Sequence, residues 1–169
     1  MKKIVLFLMC TLFSATVFAQ ANVSWYDIYG SVVLKGGCNF LEKQPIAAFD
    51  LRADIGLIRA QIESDCTRFD GEEAVLFAFS PSIGLAYGNK HVAYFLVGGQ
   101  PWGAVFTKDN RDKRRYNEWH VKLESGVDFR LSDLLFLNVG LSYLLPRQDT
   151  ETLQHDRNLS LMAGLGFNF

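Results

Sequence analysis

N-L-S-L-M-A-G-L-G-F-N-F, residues 158–169, is the stretch that decides the fold. One phase of it reads Leu159, Leu161, Ala163, Leu165, Phe167, Phe169; the other reads Asn158, Ser160, Met162, Gly164, Gly166, Asn168. Successive side chains of a strand point to opposite faces, so this segment is apolar on one side and small or polar on the other. The apolar row runs through to Phe169 with no polar residue after it. A closing strand that faces lipid has a use for that; one that faces water does not.

Seven further segments alternate in the same way. Strand one, about Trp25 to Lys35, sets Tyr26, Ile28, Gly30, Val32, Leu34 against Asp27, Tyr29, Ser31, Val33, Lys35. Strand two, Ile46 to about Asp54, sends Phe49, Leu51, Ala53 outward and Asp50, Arg52 inward. The phase then flips, with Ile58, Ala60, Ile62 apolar and Arg59, Gln61, Glu63 polar. A one-residue flip requires a turn or a bulge, and Asp54-Ile55-Gly56 is the best place for it. Strand four, Val75 to Tyr87, contains Pro81, which lacks a ladder donor. Strand five, His91 to about Phe106, is apolar on both phases, with Gly98-Gly99 and Pro101 near its middle. Strand six, Tyr116 to Leu131, places Trp119, Val121, Leu123, Val127, Phe129 opposite His120, Lys122, Glu124, Asp128, Arg130. Strand seven, Leu135 to Leu144, opposes Leu135, Leu137, Val139, Leu141, Tyr143 to Phe136, Asn138, Gly140, Ser142.

Connections of about ten residues alternate with turns of two to four, the pattern of transmembrane barrels. The expected fold is therefore all-β, an eight-stranded antiparallel up-and-down transmembrane β-barrel. A secreted lipocalin-like barrel has the same strand count. Paired charges on one phase, aromatics at strand ends on the other (Tyr26, Tyr87, Trp119, Tyr143, Phe169) and the segregation of short and long links favour lipid outside.

The front of the chain agrees. Lys2 and Lys3, an apolar run from Ile4 to Phe13, and Val17-Phe18-Ala19 read as a signal peptide over residues 1–19. Residues 20–169 form the barrel, with both termini on the periplasmic side. The mature chain holds 15 basic and 18 acidic residues, net −3, which gives no signature of nucleic-acid binding. Its two cysteines, Cys38 and Cys66, follow strands one and three, and an even count in an exported chain predicts a disulfide.

Charge on the inward phase is balanced: Asp27, Asp50, Glu63, Glu124, Asp128 against Lys35, Arg52, Arg59, Lys122, Arg130. An eight-stranded lumen is just wide enough for side chains, so these groups read as a paired network. Loop three, Lys108 to Arg115, carries Lys108, Arg111, Lys113, Arg114 and Arg115 and is a candidate contact for lipopolysaccharide phosphates or host polyanions. Asp65, Asp70, Glu72 and Glu73 of loop two match no ordered calcium loop, and neither a metal nor a cofactor is expected.

With its polar lumen and its ending Gly164-Leu165-Gly166-Phe167-Asn168-Phe169, the chain resembles the small eight-stranded OmpA/OmpX-like outer-membrane β-barrel superfamily. That resemblance implies a monomer in the bacterial outer membrane, surrounded by lipid and lipopolysaccharide and delivered by the barrel assembly machinery through Phe169. A structural, adhesive or surface-protective role of the loops is the expectation. The alternatives are a lipid A-modifying enzyme (deacylase- or acyltransferase-like), for which Ser125 or Ser142 near His120 is the place to look, and a small conductance pore.

Overall fold

A computed structural model of the protein describes residues 28–40, 44–69, 74–107, 114–116, 120–145 and 159–169. Ten β-segments make up one antiparallel sheet: β1 (Ile28–Asn39), β2 (Pro45–Ile55), β3 (Ile58–Phe69), β4 (Ala74–Tyr87), β5 (His91–Gln100), β6 (Trp102–Thr107), β7 (Arg114–Tyr116), β8 (His120–Arg130), β9 (Leu135–Leu144) and β10 (Leu159–Asn168). The order β3-β2-β1-β10-β9-β8-β5-β4-β6-β7, together with the β3–β4 pairing, closes the sheet on itself.

Ten segments make eight staves. From Ser82↔Gly98 to Phe79↔Trp102 the ladder advances three residues on β4 and four on its partner, so one extra residue sits at Pro101. β5 and β6 are thus one stave bent by a bulge, and β7 and β8 continue one another beside it. Pro81 lies opposite the gap, in ladder with Ile62 on its other side. Both prolines, neither of which can donate to a ladder, occupy a place where the ladder is interrupted.

The inner and outer phases of strands one to four, six, seven and eight follow the sequence alternation. Outward side chains are apolar and exposed, Leu34, Phe49, Leu51, Ile62, Phe77, Ile83, Leu85, Leu165 and Phe167 among them. Inward side chains are buried and largely charged. This is the inverse of a water-soluble barrel, and only lipid can cover such a band. The strand two to three flip is a two-residue hairpin: Ile55 pairs Ile58, with Gly56 at φ 58. A positive φ at the first central position is what primed hairpin turns require, and glycine adopts it without strain. Gly88, at φ 145, opens the second tight turn.

β10 closes against β1. The Gly30 N–H donates to the Phe169 carbonyl at 3.1 Å and the Phe169 N–H returns to the Gly30 carbonyl at 2.9 Å. The Phe169 ring lies over Gly30, filling the space a side chain there would need. Gly30 in an otherwise apolar phase is therefore a seat for the terminal aromatic ring, and Phe169 itself remains 74% exposed on the outer face. Tyr87 and Tyr143 are half-buried on the same face. Tyr26, Trp119 and residues 1–19 lie outside the described residues.

Two expectations are corrected. β1 ends at Asn39 with β2 from Pro45, and β3 ends at Phe69 with β4 from Ala74, so fewer than ten residues separate these strands at the loop end. β1, β3 and β4 continue their hydrogen-bond ladders past the apolar band, where alternation no longer marks them. Cys38 and Cys66 are not joined by a disulfide. Cys38 pairs with Pro45 and Cys66 with Ala47, so β2 stands between them. Two ladder spacings and the two-residue offset between Pro45 and Ala47 put their Cα atoms about 11–12 Å apart, beyond the reach of about 7 Å that a disulfide allows. Labelling the folded barrel with a maleimide in the absence of reductant will modify the exposed Cys38, and prior reduction will add no further site.

Leu51 is 46% exposed and lies in the row Phe167–Val32–Leu51–Ile62, well inside the apolar band. Leu51→Arg will destabilise the barrel by about 2–4 kcal/mol in urea titrations in micelles. A cost near zero would place that face in water.

Candidate functional site

The lumen is where the chemistry of the chain converges. Lys35 reaches in from β1, and its Nζ contacts three carboxylates from three other strands: Glu63 at 2.5 Å, Asp50 at 2.8 Å and Glu124 at 3.0 Å. Lys122 on β8 pairs with Glu63 and, at 3.3 Å, with Glu124. Gln61 Nε2 donates to Glu124 at 2.8 Å. This is the loop-end half of the network.

Two arginines build the turn-end half. Arg52 donates to Asp50 through Nη2 at 2.7 Å and to Asp128 through Nη1 at 3.1 Å. Arg59 grips Asp54 with a fork, Nε and Nη2 each at 2.7 Å, and turns Nη1 to Asp128 at 2.7 Å. Planar guanidinium is the donor suited to such a bidentate hold. Asp50, shared by Lys35 and Arg52, joins the two halves.

Tyr94 fastens the joint from the other wall. Its hydroxyl donates to Glu124 at 3.3 Å and accepts from Asn138 Nδ2 at 3.0 Å, while Asn138 also donates to Asp128 at 2.7 Å. The Arg52 and Arg59 guanidiniums stand 5.1 Å and 4.9 Å from the Tyr94 ring centroid, within cation–π range. Paired Gly126 and Gly140 on β8 and β9 make room for it; a Cβ at Gly140 would lie 2.7 Å from the hydroxyl. Two glycines in the inward phase thus serve one phenol.

Sequence and structure can be compared residue by residue. Lys35, Asp50, Arg52, Arg59, Glu63, Lys122, Glu124 and Asp128 are brought together, each 5% exposed or less. Arg130 is not: it sits at the turn-end mouth, paired with the exposed Asp133 at 3.2 Å. Its side chain points inward, but by that residue the strand has left the lumen. Asp27, Lys108, Arg111 and Lys113 lie outside the described residues, and Arg114 and Arg115 fall on β7. Asp54, Tyr94 and Asn138 were not singled out. Asp54 read as part of a turn, and Tyr94 lay in a strand apolar on both phases, where alternation carries no signal. The inward glycines opposite it were the available clue.

Between the two ends, the paired side chains fill the barrel. A cavity of about 210 Å³ opens at the turn end, lined by Tyr29, Asp54, Arg59, Asp128, Phe136 and Asn168 among others. One of about 20 Å³, room for about one water, lies towards the loop end beside Glu63 and Lys122. The ladder places Ser142 and Ser125, the hydroxyls considered with His120. His120 is opposite Gln100 and Ser142 is opposite Glu124, four positions along β8, or about 13 Å of strand rise. Ser125 takes the phase opposite to Glu124, and His91 stacks near Phe129 with ring centroids 5.4 Å apart.

No family model and no curated protein matches the chain. Solved structures do share its fold. The N-terminal β-barrel domain of Pseudomonas aeruginosa OprF aligns with TM-score 0.62 at 11% identity, over 83% of this chain and 97% of that one. Neisserial surface protein A aligns with TM-score 0.56 at 9% identity, over 88% and 98%. Ail of Yersinia pestis, solved with the heparin analogue sucrose octasulfate, aligns with TM-score 0.52 at 15% identity, over 84% and 96%. The chain has the fold of the small eight-stranded transmembrane barrels.

The pairing of Lys122 with Glu63 yields a test of the network. Lys122→Met and Glu63→Gln will each cost about 3–5 kcal/mol, because each strands a buried charge. The double substitution will cost less than the sum in a double-mutant cycle. Strict additivity would mean that the two do not share a network in the folded barrel.

Proposed function

We propose that the chain is a monomeric outer-membrane barrel that anchors a polyanion-binding segment at the cell surface. The observation that carries this reading is the lumen: four buried cations meet five carboxylates, with Asp54 the partly exposed fifth. A barrel so filled is a fixed pedestal, and what acts on a partner is then the chain outside it. The loop-end segment Lys108 to Arg115 holds five basic and two acidic residues, and anionic oxygens are its natural ligands. Ail, of the same fold, was solved with a heparin analogue, which supports the same ligand class here. In this reading residues 1–19 are an export signal and both chain ends face the periplasm. Lipopolysaccharide surrounds the outer rim, and Phe169 is the residue offered to the assembly machinery.

Refolded barrel on a heparin column tests the proposal. Replacing Lys108, Arg111, Lys113, Arg114 and Arg115 together by Gln will shift elution to lower salt and weaken binding by at least about tenfold, with a shallower salt dependence. Binding to vesicles carrying lipid A phosphates, measured in parallel, separates a membrane ligand from a host polymer. Unchanged elution and unchanged vesicle binding would overturn it.

A further inference from the structure

The mouth at the turn end carries groups that the lumen network does not use. Tyr29 belongs to the inward phase of β1, lies opposite Asp54 in the ladder and is 54% exposed, so its ring faces the cavity of about 210 Å³ and not the lipid band. Phe136 of β9 adds a second ring to the lining, held against Gly166, where an added Cβ would stand 2.1 Å from it. The Arg59–Asp128 pair closes the cavity towards the network. An aromatic ring kept wet at a polar mouth costs free energy that a ligand lying on it would recover.

The cavity does not end at this ring of residues. An open depression of about 400 Å³ adjoins it and shares Asn89, Arg130 and Asp133 with it. Together they form one groove, from the lumen mouth over the Arg130–Asp133 pair to Lys90 and Ser132. Charge along the groove is balanced. Among the described residues that line it, Asp54, Asp128 and Asp133 meet Arg59, Lys90 and Arg130, three against three. Arg59 holds Asp54 and Asp128, and Arg130 holds Asp133. An ionic ligand would have to break one of these pairs to be held by charge. A hydroxyl would not, because Arg130 directs Nε to the Ser132 carbonyl and Nη2 to Asp133 and keeps further N–H groups. Asn89 and Asn168 add side-chain amides, each both donor and acceptor.

We propose that the turn-end groove binds a neutral saccharide, one pyranose ring lying on Tyr29 inside the cavity and the next crossing the Arg130–Asp133 pair. A pyranose has an apolar C–H face for an aromatic ring and a rim of hydroxyls that donate and accept at once. The lining offers a partner to each. The Arg59–Asp128 floor stops the ligand from passing deeper, so it is bound at the mouth and not conducted. This inference stands apart from the polyanion reading, which concerns the loop end and a charged ligand.

Saturation-transfer NMR on the refolded full-length barrel tests it, in a zwitterionic detergent that has no sugar headgroup. Chitotriose and maltotriose are the probes, one with acetamido groups and one without, and glutamate and lysine are the charged comparisons. Saturation will pass to at least one trisaccharide, and neither amino acid will compete with it. Tyr29→Ala and Arg130→Gln will each weaken that binding about fivefold, while Tyr29→Phe, which keeps the ring, will stay within about twofold of wild type. Circular dichroism verifies that each variant is folded, and should Y29A not fold, R130Q decides by the same comparison. No transfer to either sugar, tighter binding of glutamate or lysine than of the sugars, or wild-type affinity in the folded Y29A or R130Q barrel would overturn the proposal.

Discussion

Four strands that are not all neighbours in sequence meet at one ammonium group. Lys35 on β1 touches Asp50 on β2, Glu63 on β3 and Glu124 on β8, and the last of these lies across the lumen. Register fixes the contact. Asp50 and Glu63 are directly opposite one another, and a slip of one residue would turn either carboxylate into lipid. The energetic demand is equally sharp, because a buried charge without its partner costs several kcal/mol. The ladder and the ion pairs therefore specify the same arrangement, and any alternative pairing loses both at once. In a barrel whose outer face gains little from contact with other protein, the lumen is where specificity is set.

Tyr94 extends the logic to the opposite wall. It is a large aromatic side chain buried inside this network, and it sits across from Gly126 and Gly140. Both guanidiniums pack near its ring while its hydroxyl spans Glu124 and Asn138. An aliphatic residue of similar volume would fill the space but leave an Asn138 N–H without its acceptor, which in this surrounding is the costlier error.

Legibility from sequence followed the alternation closely. Where one phase was charged and the other apolar, as in β2, β3 and β8, both the face and the contents of the lumen could be read in advance. Where both phases were apolar, in β5, neither the bulge at Pro101 nor the role of Tyr94 was visible, because period two had nothing to contrast. The charged phase also overreached at one strand end: Arg130 has the right phase but lies at the mouth, since phase says which way a side chain points and not how deep it sits. The disulfide failed for a topological reason. Whether two strands flanking a third can be bridged depends on ladder spacing, which composition does not carry.

Strand number sets the final constraint. Eight staves enclose a lumen just wide enough for side chains, and the polar phase forms a plug of paired groups within it. The same eight staves leave the outer face to lipid on every side. Recognition of any large partner is then left to the segments beyond the ladders, and those segments tolerate change because neither the closure at Phe169 nor the contacts of Lys35 runs through them. A fold that places its stability determinants inside and at the turn end thereby frees the loop end.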